Sequence, residues 1–166
     1  NSVEIPFMMY NVPGRTGVDL DANTTIRLFD DIKNIYGVKE ATGSLERAIC
    51  LLSQRKDFVV VSGDDAIDFP MLANGAKGII SVTANLLPNL KSQLVNSVFK
   101  GDLEKARQIN EDLYSLNSVL FCESNPIPIK AAMYLAGLLD TLEYRLPLTA
   151  PSMETMKKLE KTLEKY

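Results

Sequence analysis

Residues 35–43 of the chain, IYGVKEATG, combine a short apolar run with a charged Lys39-Glu40 pair and a glycine-marked turn. Apolar runs of about four to eight residues are typical of strands that are buried on both faces, as in parallel sheets. Further runs of this kind occur in the first half of the chain. The sequence therefore predicts β-strands at residues 5–10, 35–40, 58–63 and 78–83.

Amphipathic segments separate the predicted strands, at residues 26–32, 45–52 and 67–72, and another at residues 90–99 follows the last strand. Strands that alternate with helices predict an α/β architecture with right-handed crossovers. This pattern alone leaves an open, doubly wound sheet possible. The sequence argues against a nucleotide-binding version, because it has no G-x-G-x-x-G after a strand and no Walker-type phosphate loop.

After Lys100 the strand-like runs stop, and apolar residues recur every three or four positions along a predicted helix at residues 103–120. The Asn125-Pro126-Ile127-Pro128 stretch should break the helical pattern, since proline lacks an amide hydrogen and restricts its predecessor. Further helices are predicted from Ile129 to about Leu139 and along the tail, where Met153, Met156, Leu159, Leu163 and Tyr166 share one face. We therefore predict βα units in residues 1–98 and a helical domain in residues 99–166.

Composition narrows the class of protein. The chain has 166 residues, is 46% hydrophobic and carries a net charge of −3, which gives no basic excess for nucleic acid or an anionic membrane. No apolar run approaches the roughly 20 residues of a membrane helix. The two cysteines, Cys50 and Cys122, are expected to be buried and inert in a reducing cytoplasm. Because the chain starts at Asn1, close to a strand, we expect it to be a piece of something longer.

Polar residues stand at the end of each predicted strand, where α/β proteins gather their reactive groups. Histidine is absent, which removes the commonest metal ligand and the commonest general base. Any catalysis must then use lysine, tyrosine, arginine or carboxylates. The segments at the strand ends are YNVPGRTG (10–17), GVKEATG (37–43), SGDD (62–65) and IISVT (79–83).

Lys39 is the unusual residue among these. Burying a lysine disfavours its charged form, and the neutral amine is the nucleophile that attacks a carbonyl group. An ordinary ion pair with Glu40 is an equally good interpretation of Lys39 when it is considered alone. Asp64 or Asp65 is expected to cap the following helix, not to act in catalysis.

Tyr10 and Arg15 also have interpretations without a function. Tyr10 considered alone is predicted to be a core aromatic residue with its hydroxyl group on a backbone carbonyl. Arg15 lies in a loop marked by glycine and proline, where a solvated or ion-paired arginine is the default. A guanidinium at a pocket mouth would also match a substrate carboxylate bidentately.

Five segments, in order along the chain, resemble the pyruvate-dependent aldolase and lyase family typified by dihydrodipicolinate synthase and N-acetylneuraminate lyase. The dihydrodipicolinate synthase branch is the more similar, because Glu-Ala-Thr follows the lysine and Arg-Thr-Gly follows the tyrosine motif. The resembling segments are YNVPGRTG (10–17), GVKEATG (37–43), SGDDA (62–66), GIISVTAN (78–85) and NPIPIKAAM (125–133).

The resemblance implies the second half of a (β/α)8 barrel, in residues 1–98, followed by a helical C-terminal domain. It implies a lyase that condenses pyruvate with (S)-aspartate 4-semialdehyde through a Schiff base, giving 4-hydroxy-tetrahydrodipicolinate in lysine (diaminopimelate) biosynthesis. Neither a metal nor an organic cofactor is implied. The implied site comprises Lys39 as the Schiff-base lysine, Tyr10 as proton relay, Arg15 on the aldehyde's carboxylate, Ile80 as a backbone contact to pyruvate, Gly63 leaving room near the substrate, and Thr42 in support.

The resemblance also implies a homotetramer, while composition and cysteine usage predict a cytoplasmic protein without nucleic-acid or membrane partners. The resemblance places outside this chain an amino-terminal half-barrel that carries a Gly-Thr-Thr-Gly-type loop for the pyruvate carboxylate, a second relay tyrosine and most of a lysine-feedback site. A half-barrel alone leaves two strand edges and one apolar face unpaired, which invites pairing with another chain. We expect the isolated chain to be poorly active, because Tyr10 lacks its relay partners. Two alternatives remain open: another 2-keto acid aldolase of the same family, and a non-catalytic half-barrel that acts as an interaction module.

Overall fold

The structure, a computed structural model, describes residues 4–166. Its parallel sheet has the strand order β1-β2-β3-β4, so consecutive strands are neighbours. This order confirms the α/β architecture and differs from that of a doubly wound sheet, where the strand order reverses at a switch point. The strands are β1 (Phe7–Asn11), β2 (Ile35–Glu40), β3 (Val59–Ser62) and β4 (Gly78–Ile79).

The fourth strand is shorter than predicted. The expected strand ran to Thr83, but β4 ends at Ile79 and Thr83 begins a 3-10 turn, Thr83–Asn85. The amide of Ile80 still donates to the carbonyl of Ser62, at 2.8 Å. Beyond it, the amides of Val82 and Thr83 donate to the side-chain carboxylate of Asp65 instead of to β3. The strand therefore ends where the Asp65 carboxylate, and no longer a β3 carbonyl, accepts the backbone amides.

Three helices pack on one face of the sheet: α2 (Ala22–Asp31), α3 (Leu45–Gln54) and α4 (Asp68–Ala73). Side-chain caps start two of them, since Asp21 accepts from the amide of Thr24 and Ser44 from that of Arg47. The buried core of this layer contains Met9, Ile26, Ile35, Val38, Ala48, Leu51, Phe58, Val60, Met71 and Ala76.

A short helix, α1 (Pro13–Thr16), occupies part of the segment that was predicted to be a loop. Pro13 favours a helix start because its fixed φ suits the first turn and its missing amide hydrogen is not needed there. Gly17 ends the helix with a φ of 70°, a left-handed conformation that suits glycine.

The remaining helices are α5 (Pro88–Phe99), α6 (Leu103–Val119), α7 (Ile127–Leu135) and α8 (Met153–Leu163). Helix α7 starts two residues earlier than predicted, because Pro128 fits into its first turn. It also ends earlier than the predicted Leu139, and Gly137 adopts a left-handed φ of 71° just beyond its end.

The apolar face predicted for the helix at residues 103–120 is buried along most of α6. Ala106, Ile109 and Leu113 pack with Leu72 of α4 and Leu94 of α5 in one core cluster. Leu103 differs, since it is largely exposed at the first helical position. Because this cluster joins α4 to α5 and α6, a shared core connects the two sides of the predicted boundary at residues 98 and 99, and that boundary stays a prediction.

The tail helix also departs from its prediction at both ends. Leu159 is fully buried and Met156 and Leu163 are partly buried, so these residues do share an inward face. Met153, at the first helical position, is exposed instead, and Tyr166 is exposed beyond the end of the helix at Leu163. No helix within residues 4–166 has the length and apolar character needed to cross a membrane.

The prediction of buried thiols was wrong for both cysteines. Cys122 follows the end of α6 and is exposed, with its Sγ 3.4 Å from Oγ1 of Thr155. Cys50 is only partly buried, because Ala48 and Leu51 form the buried face of α3. Its Sγ accepts a hydrogen bond from Nε2 of Gln54 at 3.2 Å.

Glu123 ties the segment between α6 and α7 to the start of α8. Its Oε1 accepts hydrogen bonds from Oγ1 of Thr155 at 2.6 Å, from Oγ of Ser152 at 2.8 Å and from the Ser152 amide at 3.0 Å. These bonds, the one from Thr155 first, lower the pKa of the Glu123 carboxyl group below its ordinary value. The ionised carboxylate is a stronger acceptor than the neutral acid, so this tie should weaken in acid.

Glu123→Gln tests the acid dependence of this tie. A carboxyl group whose pKa is lowered by folding adds stability above its unfolded pKa and loses that stability as the pH falls through its folded pKa. The free energy of unfolding should therefore differ between wild type and variant by a constant amount at neutral pH. That difference should shrink below the ordinary pKa of 4.5. Urea unfolding at a series of pH values measures it, and a difference that stays constant into strong acid would contradict the assignment.

Candidate active site

Tyr10 and Lys39 lie side by side where the strands end. They are register partners in β1 and β2, and Lys39 is in turn paired with Val61 of β3. Nζ of Lys39 lies 4.3 Å from the centroid of the Tyr10 ring. Strand register alone thus brings the two predicted catalytic side chains together on the open face of the sheet.

A cavity of about 440 Å³ surrounds this pair. Its lining includes Tyr10, Arg15, Lys39 and Gly63, four of the five residues predicted for the site. The fifth, Ile80, lines an adjoining cavity of about 300 Å³, which Lys39 also lines. The two cavities meet at Lys39, so the structure brings all five predicted residues to one place.

The ion-pair interpretation of Lys39 was wrong. Glu40 points to the opposite face of β2, where its side chain is fully buried and pairs with Arg47 at 2.7 Å. Lys39 is half-buried and faces the cavity. Because successive side chains point to opposite faces of a strand, Lys39 and Glu40 point in opposite directions although they are adjacent in sequence.

The Glu40–Arg47 pair anchors the end of β2 from the side opposite the cavity. Arg47 also donates to the carbonyl of Leu20 and, at 3.4 Å, to Oγ1 of Thr25. The second carboxylate oxygen of Glu40 accepts from the amide of Thr42 at 2.9 Å. Thr42 was predicted to support the site by hydrogen bonding, and its own side chain accepts from the amide of Ser44 in the loop after β2.

Arg47→Met should strongly destabilise the chain. Methionine removes the partner of Glu40 and leaves a buried carboxylate without its counter-charge, which typically costs about 3–5 kcal/mol. The free energy of unfolding from urea titrations measures this loss. Arg55→Met is the matched control, because the Arg55–Asp30 pair is well exposed and should change the stability little. Equal effects of the two substitutions would contradict the assignment.

Gly63 makes room for Lys39 itself. A Cβ atom built on Gly63 would lie 2.8 Å from Cε of Lys39 and 2.8 Å from Cβ of Ala41. Both distances are well below a carbon–carbon contact. The prediction placed Gly63 near the substrate, and the structure adds that the free space is needed by the lysine side chain.

Tyr10 is not a core residue, contrary to the interpretation from its sequence position alone. It is 50% exposed, whereas Met9 before it and Asn11 after it are buried. Arg15 is exposed on α1, and its guanidinium group donates to the carbonyl of Asn125 at 3.0 Å. Arg15 therefore reaches across the cavity mouth to the segment between α6 and α7, a contact that the sequence did not predict.

The predicted helix cap by Asp64 or Asp65 was wrong. Helix α4 begins at Asp68, and its capping residue, Ile67, contributes no side-chain hydrogen bond. Asp64 instead accepts from the amide of Ala66 at 3.0 Å, in the turn that precedes the helix. Asp65 is buried and directed towards the segment after β4.

Sequence reasoning also missed a buried cluster behind the cavity wall. Nζ of Lys91 lies 2.7 Å from Oδ1 of Asp65 and 2.6 Å from Oδ2 of Asp68, and all three side chains are almost completely buried. A signal for it was present, because Lys91 lies between Leu87 and Leu94 at helical spacing, where an apolar residue is expected. No group of three or more acidic or cysteine side chains within residues 4–166 could hold a metal ion.

Parallel strands, packed helices and a lysine-centred cavity at the strand ends define part of an α/β barrel. Comparison with known proteins makes this assignment specific. The chain belongs to the Dihydrodipicolinate synthetase family, whose model matches residues 1–166.

Two curated relatives of high sequence identity share the same name. The chain is 75% identical over 166 residues to a 4-hydroxy-tetrahydrodipicolinate synthase of Aliarcobacter butzleri, and 62% identical to one of a Sulfurovum species. All of the chain is covered in both comparisons, but only 56% of each relative. The chain thus spans a little over half the length of the curated relatives it matches.

Solved structures agree with the sequence comparison. A dihydrodipicolinate synthase from Aquifex aeolicus aligns with a TM-score of 0.94 and 41% identity, covering 99% of this chain and 56% of that one. The 4-hydroxy-tetrahydrodipicolinate synthase of Methylacidiphilum fumariolicum aligns with a TM-score of 0.95 and 42% identity, covering 99% and 55%. These likenesses confirm the predicted fold class, a half of a (β/α)8 barrel followed by helices.

Proposed function

We propose that this chain is part of a 4-hydroxy-tetrahydrodipicolinate synthase, a lyase of lysine biosynthesis. The substrates would be pyruvate and (S)-aspartate 4-semialdehyde. The observation that carries the proposal is the position of Lys39, half-buried in a cavity, with its amine 4.3 Å from the Tyr10 ring. Relatives of that name, up to 75% identical over the whole chain, support it.

In this proposal the amine of Lys39 attacks the ketone carbon of pyruvate, and loss of water leaves an imine. A proton then leaves the methyl carbon, and the resulting enamine carbon attacks the aldehyde, whose oxygen takes up a proton. Tyr10, which lines the same cavity as Lys39, would pass these protons, a role that the family resemblance supports. The amino group of the second substrate finally attacks the imine carbon, closes the ring and expels the free Lys39.

Arg15 would hold the carboxylate of the incoming aldehyde. One of its N–H groups is used by the carbonyl of Asn125, and a guanidinium has five, so a bidentate face remains for a carboxylate. Ile80 would contact pyruvate through its backbone. Its amide already donates to Ser62, so the contact must be made by the Ile80 carbonyl oxygen. Gly63 would contribute by leaving space for Lys39.

The rest of the site is proposed to come from the part of the protein that this chain does not span. Among the described strands, β1 and β4 each have a single neighbour, so each presents a free edge for a further strand. An amino-terminal half-barrel would pair with both edges and add the pyruvate-carboxylate site and further relay groups. A cytoplasmic homotetramer is proposed on the family resemblance alone.

The test is to assemble the whole barrel and to determine which aldehyde it accepts. The chain would be joined to the amino-terminal segment of the Aliarcobacter butzleri relative, a fusion called the assembled protein below. Consumption of pyruvate would be measured with (S)-aspartate 4-semialdehyde and, in parallel, with sugar-derived aldehydes. We expect turnover only with the semialdehyde, and little turnover by the isolated chain.

Each other outcome has a distinct meaning. Preference for another aldehyde would identify a different 2-keto acid aldolase of the family. A folded assembled protein that consumes no pyruvate with any aldehyde would favour the non-catalytic interaction module. Robust turnover by the isolated 166-residue chain would contradict the idea that the site is completed from outside.

A further inference from the structure

The Asp65 side chain makes more hydrogen bonds than the turn that contains it requires. It follows β3, its side chain is 1% exposed, and both of its carboxylate oxygens are occupied. Oδ2 accepts from the amide of Val82 at 2.7 Å and from that of Thr83 at 3.3 Å. Oδ1 accepts from Oγ of Ser81 and from Nζ of Lys91.

These bonds hold residues 80–83, the segment that leaves the sheet after β4. Its amides at Val82 and Thr83 no longer face a strand, and burial without a partner would be costly for them. A carboxylate is a strong acceptor for such amides, because charge-assisted hydrogen bonds are roughly twice as strong as neutral ones. Oγ of Ser81 continues the arrangement by accepting from the amide of Ala84 at 2.9 Å.

A second tie joins the same segment to α6. The Nδ2 group of Asn117 donates to the carbonyl of Asp65 at 3.0 Å, and its Oδ1 accepts from Oγ1 of Thr83 at 2.8 Å. Asn117 and Thr83 are both buried. The loop after β3, the segment after β4 and helix α6 therefore form one hydrogen-bonded unit.

Lys91 balances the charge of this unit from α5. Its ammonium group bridges Asp65 and Asp68, and the side chains of all three are at most 2% exposed. Burial raises the pKa of the Asp68 carboxyl group, while the Lys91 charge opposes that rise. The ammonium thus compensates two carboxylates that would otherwise face each other in the interior.

The unit forms the wall behind Lys39. Val82 lines both cavities that meet at Lys39, Ile80 lines the smaller one and Asn117 the larger one. Asp65 itself lines neither and offers no free oxygen, so it has no direct part in the chemistry. We propose that Asp65 is a positioning residue whose carboxylate fixes residues 80–83 beside Lys39 and so sets the affinity for the 2-keto acid.

The first test does not depend on catalysis. Hydrogen–deuterium exchange of the assembled protein, with Asp65→Asn against wild type, reports the protection of the Val82 and Thr83 amides. Asparagine has one acceptor oxygen and no charge, so these amides should exchange faster by on the order of tenfold. Unchanged exchange in a folded variant would overturn the proposal. If Asp65→Asn does not fold, Ser81→Ala removes one donor and should give the same change at smaller size.

The second test rests on the proposed function. With Asp65→Asn, KM for pyruvate should rise by about tenfold while kcat changes by less than about threefold, because a misplaced wall weakens binding. A merely structural defect would lower the active fraction, and with it kcat, at unchanged KM. Asp30→Asn is the control, since Asp30 pairs with Arg55 away from both cavities and should change neither constant.

These two tests can fail separately. If the wild-type assembled protein consumes no pyruvate, the proposed function fails while the exchange result still decides the role of Asp65. If pyruvate is consumed and Asp65→Asn leaves either KM or the exchange of residues 82 and 83 unchanged, only the positioning role is lost.

Discussion

Lys39→Ala should lower kcat/KM of the assembled protein by on the order of 10⁴-fold, because the covalent intermediate can no longer form. Lys39 lines both cavities, and its amine is the proposed nucleophile. Lys130 also lines the smaller cavity, but its Nζ donates to the carbonyl of Glu143 and lies over the Tyr144 ring. It is therefore occupied elsewhere and should not replace Lys39. Steady-state kinetics with pyruvate and the semialdehyde measure the loss.

Lys77→Ala serves as the matched control for this prediction. Lys77 is exposed just before β4, at the opposite end of the sheet from the cavity. Removing it should leave kcat/KM within about twofold of wild type, as is usual for surface positions. A Lys39→Ala variant that keeps a tenth or more of the activity would exclude the covalent mechanism.

Gly63→Ala should displace the nucleophile without removing it. The added methyl group would lie 2.8 Å from Cε of Lys39 and 3.0 Å from its Cγ, so the lysine side chain must move. Overpacking of this kind costs about 1–3 kcal/mol, which corresponds to a loss of roughly 5- to 150-fold if it falls on the reactive conformation. Single-turnover formation of the pyruvate adduct is the appropriate measurement, since it isolates the step that uses Lys39.

Gly78→Ala separates this steric effect from a general intolerance of alanine in the sheet. A Cβ atom on Gly78 would meet only Cγ1 of Val61, at 3.8 Å, which is an ordinary contact. Its adduct should form at the wild-type rate. Equal rates for Gly63→Ala and wild type would show that the space at Gly63 is not needed by Lys39.

The juxtaposition of Tyr10 and Lys39 could be predicted because it depends on strand position. Tyr10 and Lys39 each stand at the end of an apolar run, and parallel strands bring their carboxyl ends to one edge. This placement follows from sequence periodicity alone. The family resemblance then separated the nucleophile interpretation of Lys39 from its ion pair with Glu40, which sequence neighbours alone could not do.

The supporting contacts could not be predicted, because they join residues far apart in sequence. Asp65 looked like a helix cap from its place before α4, yet its partners are Val82, Thr83 and Lys91. The early end of β4 has the same origin, since Asp65 takes the amides that would extend the strand. Likewise, the contact of Arg15 with Asn125 spans the chain from α1 to the start of α7.

Trapping of the Schiff base tests directly whether Lys39 forms the covalent bond to pyruvate. The assembled protein would be incubated with pyruvate and borohydride, and the modified peptide would be mapped by mass spectrometry. We expect one stable pyruvate adduct, on Lys39 and not on Lys130. A folded, assembled protein that gives no adduct, or an adduct on Lys130 alone, would contradict this expectation.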